Sequence, residues 1–165
     1  MDRYETISLG VRERTMPNGK FDPQCTFCRI AGGMTPAATV YEDQHTCAFL
    51  DKRPLFPGHC LLIPKEHYET LADLPARLIE PLFGVASRLA AGVEKAMGAD
   101  GTFVAINNRV SQSVPHLHVH IVPRRRHDGL KGFFWPRQSY ADEATAAKIQ
   151  TAIRSAIPQS APRAE

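Results

Sequence analysis

The sequence predicts an α+β domain in which a mostly antiparallel, five-stranded sheet packs against one long helix, with a second helix near the C-terminus. Three observations lead to this prediction. Five short runs of apolar and β-branched residues are separated by turn-forming residues. One long segment between them shows helical periodicity instead. The chain has 165 residues, which fits one domain with a substantial core.

The predicted strands follow one another closely along the chain. They comprise residues 39–41, 46–50, 59–63, 102–106 and 116–122. Polar residues at 42–44 separate the first two strands, and Pro64 closes the third. The short spacing indicates hairpins, whereas the long helix provides one wide crossover, so most neighbouring strands should run antiparallel.

The long helix is predicted from an apolar stripe whose members recur three and four residues apart. These are Leu78, Leu82, Val85, Leu89 and Val93. Asp73 and Pro75 can form its start as a cap and a first-turn proline, and Gly98 can cap its end near Met97. Pro81 leaves two interpretations open, a kink within the helix or the true first turn.

A last helix is predicted after Asp142, which can cap its first turn, and it ends before Pro158. Its apolar side consists of Ala147, Ile153 and Ile157. Residues 1–23 lack periodicity, which indicates a flexible N-terminal arm, and residues 158–165 are predicted to form a loose tail. The folded domain is therefore expected over residues 24–157.

Composition and charge narrow the possible classes of function. The net charge of +3 is too mild for a dedicated nucleic-acid surface but is compatible with a small anionic ligand. No apolar run is long enough to cross a membrane, and the N-terminus has no signal-peptide core. We therefore expect a cytoplasmic protein, in which the four cysteines are thiols, thiolates or metal ligands before they are disulfides.

Three histidines alternate with apolar residues in the last predicted strand. His116, His118 and His120 have the two-residue period of a strand, so their imidazoles should share one face. The apolar residues between and after them should point to the opposite face, into the core. From the residues alone, the histidines can line a solvated sheet face, bind a hydrolytic zinc ion, or perform chemistry themselves.

The surroundings of these histidines resemble the histidine triad (HIT) family of nucleotide hydrolases and transferases. Residues 112–124 read Gln-Ser-Val-Pro-His-Leu-His-Val-His-Ile-Val-Pro-Arg. Four earlier segments look like bacterial members of the family, in the same order: 25–30, 41–43, 48–51 and 57–67. The resemblance extends from about Cys25 to Trp135 and is closest to a zinc-containing bacterial branch similar to Hint and Fhit proteins. It implies a HIT fold whose sheet joins that of a second copy into ten strands in a homodimer.

The resemblance implies hydrolysis or transfer of nucleoside monophosphates from phosphoramidates or dinucleoside polyphosphates. His118 matches the family's nucleophile, which forms a covalent nucleotidyl-histidine intermediate that water later hydrolyses. His120 matches a contact to phosphate oxygens. Gln112 and Ser113 match phosphate-loop donors, with Ser113 reaching the leaving group. This chemistry requires no metal. The alternative is a nucleotide-binding or RNA-associated module with weak or no catalysis.

The Cys25-x-x-Cys28 pair suggests either a redox pair or half of a zinc site. The βαβ unit that accompanies a thioredoxin-like redox motif is missing from the predicted elements. The resemblance implies a structural zinc ion held by Cys25, Cys28, His67 and His116, a closed set of four ligands. Two free thiols in a helix are the alternative.

The resemblance also implies a purine-nucleotide pocket. Asp51 matches the residue that accepts hydrogen bonds from the ribose hydroxyls. Phe49 is expected to form one wall for the base, and Phe27 and Ile30 the other, with ordinary core packing as the alternative for the aromatic residues. His59 is expected to be a surface or loop histidine.

The loop before the histidine strand departs from the family's pattern, because it is shorter and Ser111 stands where a glycine is usual. Asn107 or Asn108 is expected to hold the phosphate or the catalytic backbone. Further along, residues 124–126 and Arg137 either bind extended phosphates or form a solvated basic face. The aromatic residues 133–135 resemble a family segment that packs near the site or the partner subunit.

Overall fold

A computed structural model describes residues 20–130 and 139–157 of the chain. Its helices and strands are α1 (Thr26–Ala31), β1 (Thr39–Glu42), β2 (Thr46–Leu50), β3 (Cys60–Pro64), α2 (Ala76–Met97), β4 (Gly101–Ile106), β5 (Val119–Arg124) and α3 (Glu143–Ala156). The strands form one five-stranded sheet in the order β1-β2-β3-β5-β4, and all neighbouring pairs are antiparallel. The predicted α+β class and five-stranded sheet are confirmed.

The sheet is covered on both faces, by a different helix on each. Side chains of β3 alternate between the two: Leu62 belongs to the core cluster that contains α2, whereas Leu61 and Ile63 belong to the cluster that contains α1. On the α2 side, Leu78 and Leu82 of the predicted apolar stripe are almost completely buried. The long helix therefore packs as its periodicity predicted, and the short α1 covers the opposite face.

The start of α2 differs from the prediction. A 3₁₀ turn at Leu71–Asp73 precedes it, and Asp73 caps that turn by accepting hydrogen bonds from the backbone N–H and hydroxyl of Thr70 at 3.0 and 2.6 Å. Pro75 is the N-cap residue of α2, because its extended backbone (ψ 149°) lies outside the helix. Pro81 lies within the helix. Gly98 ends it in the left-handed conformation with φ +56°, as predicted.

The histidine strand also begins later than predicted. The hydrogen-bonded ladder of β5 starts at Val119, so residues 116–118 precede it. The cause is the reach of the neighbours: β3 pairs with β5 no further than Val119, and β4 ends opposite the same residue. The N–H of Leu117 instead donates to the carbonyl of Tyr68 at 2.6 Å. The alternation still holds beyond the ladder, since Leu117 is fully buried on the α2 side.

The predicted cap of the last helix is present. The Asp142 carboxylate accepts a hydrogen bond from the N–H of Thr145 at 2.6 Å. No side chain of α3 is buried against the described residues, so its apolar side is open there. The described helices include none long and apolar enough to span a membrane. The tail 158–165, the aromatic residues 133–135, Arg137 and most of the predicted arm lie outside the described residues.

Candidate active site

The triad histidines lie on the α1 face of the sheet, beside a cavity of about 490 Å³. Its walls come from α1, the end of β2 with the following loop, residues 113–114 and β5. Seven residues expected in the site line this cavity: Phe27, Ile30, Phe49, Asp51, Ser113, His118 and His120. Phe27 and Phe49 meet edge to face, with ring centroids 5.4 Å apart. The structure thus brings together the candidate nucleophile, the candidate ribose ligand and the candidate walls for a base.

The protonated nitrogen of His118 is determined by a backbone carbonyl. Its Nδ1 lies 2.6 Å from the carbonyl oxygen of His116. A carbonyl oxygen only accepts, so Nδ1 carries the proton and Nε2 keeps its lone pair. Phe27 packs edge-on against the ring, with centroids 5.3 Å apart, and holds it in place. A nearly buried imidazole with a fixed lone pair beside a cavity can attack an electrophile without a separate base.

His59 is a site residue that the sequence analysis missed, because it was expected at the surface or in a loop. It is only 3% exposed, and its ring lies against that of His120. The backbone N–H of Leu55 donates to its Nδ1 at 3.2 Å, so the proton of the neutral ring is on Nε2. That Nε2–H donates to Nδ1 of His120 at 3.0 Å. The Pro-Gly-His motif within the family-like segment 57–67 was the available signal.

This chain of hydrogen bonds leaves the Nε2–H group of His120 as a free donor. Because Nδ1 of His120 accepts, its proton is on Nε2, which is buried and has no hydrogen-bond partner among the described residues. Burial, followed by the neighbouring histidines, lowers the pKa of His120 to about 4. Burial likewise lowers the pKa of His59. Both rings are therefore neutral near neutral pH, and a buried N–H awaits an acceptor such as a phosphate oxygen.

The triad histidines do not converge on one metal ion. His116 groups with Cys25, Cys28 and His67, whereas His120 groups with Asp51 and His59, and no such group in the described chain contains all three. In the second group, Nδ1 of His59 is occupied by the N–H of Leu55 and its Nε2 carries a proton. A metal ion there would have to break this arrangement. The geometry thus disfavours the hydrolytic zinc site that the residues alone left open.

The cysteine–histidine group has the geometry of a structural zinc site. Nδ1 of His116 lies 3.4 Å from the sulfur of Cys25 and 3.5 Å from that of Cys28, and Nδ1 of His67 lies 3.3 Å from the latter. Tetrahedral zinc with ordinary Zn–S and Zn–N bonds separates sulfur and nitrogen by about 3.6 Å. Nε2 of His116 donates to the carbonyl of Pro64 at 2.9 Å, so its Nδ1 offers a lone pair to the thiols. Four donors of the right type and spacing fit zinc.

Burial keeps the thiol of Cys28 protonated in the absence of a cation. It raises the pKa of Cys28 to about 12, and the adjacent Cys25 adds to the effect. A divalent cation between the sulfurs reverses this cost, because it stabilises the thiolate directly. The sulfur of Cys25 also caps α1 by accepting from the N–H of Cys28 at 3.5 Å. The predicted ligand pair is therefore positioned by the first turn of a helix.

Three of the residues predicted to contact the substrate do not line the cavity. Gln112 donates to the carbonyl of Glu69 at 2.7 Å and accepts from the N–H of Arg109 at 2.6 Å. The side chain of Asn108 accepts from the N–H of Leu71 at 2.8 Å. Asn107 donates to the carbonyl of Ser111 at 3.4 Å. Gln112 and Asn108 brace the loop before the histidine strand against residues 69–71, and Asn107 braces the loop internally. The loop needs bracing because Arg109 and Ser111 have φ of +64° and +59°.

Comparison with known proteins agrees with this geometry. The family model described as "HIT domain" matches residues 33–127. An adenosine 5′-monophosphoramidase of Saccharomyces cerevisiae is 37% identical over 121 residues, which cover 71% of this chain and 73% of that protein. An adenylylsulfatase of Arabidopsis thaliana is 36% identical over 108 residues, which cover 64% of this chain and 55% of that protein.

Solved structures show the same fold. A HIT-family protein of Bacillus subtilis superimposes with a TM-score of 0.74 at 32% identity, covering 83% of this chain and 99% of that one. A zinc-bound histidine triad family protein of Mycobacterium smegmatis superimposes with a TM-score of 0.62 at 36% identity, and the match covers 78% of this chain and 97% of that one.

Proposed function

Since the chain belongs to the HIT family, we propose that it hydrolyses or transfers nucleoside monophosphates from phosphoramidates or dinucleoside polyphosphates, through a covalent nucleotidyl-histidine at His118. The observation that carries the proposal is the fixed tautomer of His118, which directs a lone pair to a cavity of nucleotide size. The two relatives named as hydrolases support a nucleotide substrate with adenine as its base.

The reaction has two steps at the α-phosphorus. In the first, Nε2 of His118 forms a bond to phosphorus while the P–O or P–N bond breaks, and the electron pair leaves with the departing group. The positive charge left on the imidazole is stabilised by the Nδ1–H bond to the carbonyl of His116. In the second, water attacks phosphorus, the P–N bond to His118 breaks, and the nucleoside monophosphate is released. The net reaction consumes one water molecule.

The remaining side chains of the cavity position the substrate. The free Nε2–H of His120 donates to a non-bridging oxygen of the phosphate, a contact that strengthens as charge develops. Ser113 reaches the leaving atom, and Asp51 accepts from the ribose hydroxyls. Phe27 and Phe49, together with Ile30, form the walls for the base. Gln112, Asn107 and Asn108 hold the loop that carries Ser113, and Gln112 can also donate to phosphate if its loop contacts exchange.

A structural zinc ion belongs to this proposal, held by Cys25, Cys28, His67 and His116. When bound, it supplies a cross-link and no reactive position, because four protein ligands close its coordination shell. The site ties α1, which forms a wall of the cavity, to the first triad histidine. The zinc-bound relative and the donor spacing support the assignment to the zinc-containing branch.

The proposed homodimer would extend the sheet through β4. Among the described strands β4 pairs with β5 alone, so it is an edge of the described sheet, and Val104 on it is 45% exposed. On the adjoining helix α2, Ile79 and Phe83 are 41% and 40% exposed. Antiparallel pairing of two such edges would give the ten-stranded sheet and cover apolar side chains. The cytoplasmic location stays a prediction.

A substrate panel tests the proposal. Adenosine 5′-phosphoramidate, diadenosine triphosphate and diadenosine tetraphosphate are assayed with the wild type and His118→Ala. We expect the variant to keep its zinc and its affinity for AMP while turnover falls by about 10³-fold or more. Acid quenching of the wild type should trap nucleotide label on His118. Tight AMP binding without turnover of any substrate would instead favour the nucleotide-binding module, and label on another side chain would refute the mechanism.

A further inference from the structure

Two cations line the cavity without a role in the proposed chemistry. Lys52 and Arg53 directly follow Asp51 and contribute to the same walls as His118 and His120. Both are exposed, and neither side chain makes a hydrogen bond or ion pair with a residue in the described ranges. By contrast, two other cations of the described structure are paired with carboxylates: Lys65 with Glu42 at 2.8 Å and Arg77 with Glu66 at 2.8 Å.

The neighbouring carboxylate of Asp51 forms no ion pair with either cation in the described structure. Oδ1 of Asp51 accepts from the backbone N–H of Arg53 at 2.8 Å, and Oδ2 lies 3.6 Å from Nδ1 of His59. Asp51 is thus hydrogen-bonded to the main chain and lies beside the buried histidine, and Lys52 and Arg53 line the cavity without an ion-pair partner among the described residues. Their positive potential acts on whatever anionic group extends beyond the bound nucleotide.

The segment that carries the cations is held in place. The N–H of Asp51 donates to the carbonyl of His59 at 2.9 Å, and the N–H of His59 donates to the carbonyl of Phe56 at 3.0 Å. Gly58 closes the turn with φ +93°, so close to Met97 that a Cβ would lie 2.7 Å from its Cγ. The positions of Lys52 and Arg53 relative to the histidines are therefore determined by the fold.

We propose that Lys52 and Arg53 form a subsite for an anionic leaving group. The enzyme would then favour substrates in which the α-phosphorus is joined to a phosphate or sulfate over those in which it is joined to a neutral amine. This inference rests on the proposed function and specifies which of its two substrate classes the enzyme prefers. The relatives named adenylylsulfatase and monophosphoramidase exemplify the two kinds of leaving group.

The charge of the leaving group explains this substrate preference. When Nε2 of His118 bonds to phosphorus, the P–O bond of an anhydride breaks and the oxygen leaves with the electron pair, as an anion that needs no proton. The two cations stabilise this growing charge. An amine leaving group must instead take up a proton from solvent as the P–N bond breaks, and the water molecule that attacks in the second step returns one; the amine departs uncharged or cationic. Lys52 and Arg53 offer such a group no stabilisation.

Three substrates that share the adenylyl group test the subsite. Adenosine 5′-phosphosulfate and diadenosine triphosphate have anionic leaving groups, whereas adenosine 5′-phosphoramidate releases ammonia. In Lys52→Ala and Arg53→Ala, kcat/KM for each anhydride should fall by about fivefold, and in the double variant by about 20-fold. The phosphoramidate should change by less than about twofold. Lys52→Arg should restore the anhydride rate, and Lys148→Ala, which removes an exposed charge on α3, should have no effect on any substrate.

The outcomes separate the two sources of the anion and the two proposals. A loss confined to the phosphosulfate identifies sulfate as the ligand, and a loss confined to the triphosphate identifies the phosphate chain; either supports the subsite. An equal loss on all three substrates would place the cations on the α-phosphate and overturn the inference, as would no loss on any. If His118→Ala retains wild-type turnover, the proposed function itself fails, whatever the cations do.

Discussion

Replacing His59 with phenylalanine tests whether this buried ring determines the protonation of His120. The N–H of Leu55 donates to Nδ1 of His59, so Nε2–H is the donor to His120. Phenylalanine fills similar space but donates nothing. Nδ1 of His120 then loses its partner, and the proton of that ring is free to occupy either nitrogen. Glutamine is the matched variant, because its amide N–H can reach His120.

The magnitude follows from the burial and length of the hydrogen bond. His59 is 3% exposed and the bond to His120 is 3.0 Å long, so water replaces the lost donor poorly. An unsatisfied buried acceptor costs about 1–3 kcal/mol. If the ring relieves this cost by turning or changing tautomer, the Nε2–H contact to phosphate is lost, which corresponds to about 10–100-fold in rate. Most of the loss should be in kcat, because the contact strengthens in the transition state.

Steady-state kinetics on adenosine 5′-phosphoramidate measures the effect, and ¹⁵N NMR of the histidine rings reports the tautomer directly. His59→Phe should lower kcat/KM by about 10–100-fold, and His59→Gln should recover to within about fivefold of the wild type. Thermal melting of both variants shows whether the fold is intact. A folded His59→Phe enzyme with wild-type activity, or equal losses in the two variants, would refute the role given to this hydrogen bond.

Two further predictions concern the metal and pH. Chelation of zinc, or Cys28→Ser, should lower the melting temperature by about 10 °C, because loss of a tightly bound ligand removes several kcal/mol from the free energy of unfolding. Calorimetry with and without added zinc measures the change, and an unchanged melting temperature would contradict a structural ion. The free energy of unfolding should fall on acidification between about pH 6.5 and pH 4, because the pKa of His120 is about 4 in the fold and higher in the unfolded chain, which therefore binds the extra proton. The contribution is about 1–3 kcal/mol, and His120→Asn should remove it from the urea-unfolding profile; an identical pH dependence in that variant would contradict the assignment.

The alternation of the triad predicted the faces correctly but not the limits of the strand. Which way Leu117 and Val119 point follows from local backbone geometry, which the sequence encodes residue by residue. Where the ladder starts depends on β3 and β4, which end at the level of Val119. The residues at 116–118 carry no local signal for this limit, because histidine and leucine alternate there just as histidine and apolar residues do within the ladder.

The site was predictable where a residue's role depends on its type and less so where it depends on distant partners. The proposed zinc ligands combine a Cys-x-x-Cys pair with two histidines, and the fold brings all four donor atoms within 4.8 Å of one another. His59 contacts a ring 61 positions away, and its importance arises from the N–H of Leu55, which any residue at that position could supply. Gln112 is the opposite case: its type suits a phosphate donor, but the fold engages both ends of its amide with backbone groups.

Under the proposed function, the short segment 116–118 serves both a metal and a reaction, because backbone carbonyls determine which nitrogen of each ring keeps its lone pair. The carbonyl of Pro64 accepts a hydrogen bond from Nε2–H of His116, which leaves the Nδ1 lone pair for the thiols or their metal. The carbonyl of His116 accepts from Nδ1–H of His118, which leaves the Nε2 lone pair for the proposed attack on phosphorus. In the proposed reaction, the main-chain oxygen of residue 116, and not its ring, therefore orients the nucleophile. His116→Ser removes a zinc ligand but keeps that oxygen, so zinc affinity and melting temperature should fall while kcat of the folded fraction stays within about fivefold of the wild type. Metal titration and active-site-normalised kinetics at low temperature measure the two effects separately. A fall in kcat comparable to that of His118→Ala would mean that the first triad ring takes part in the chemistry itself.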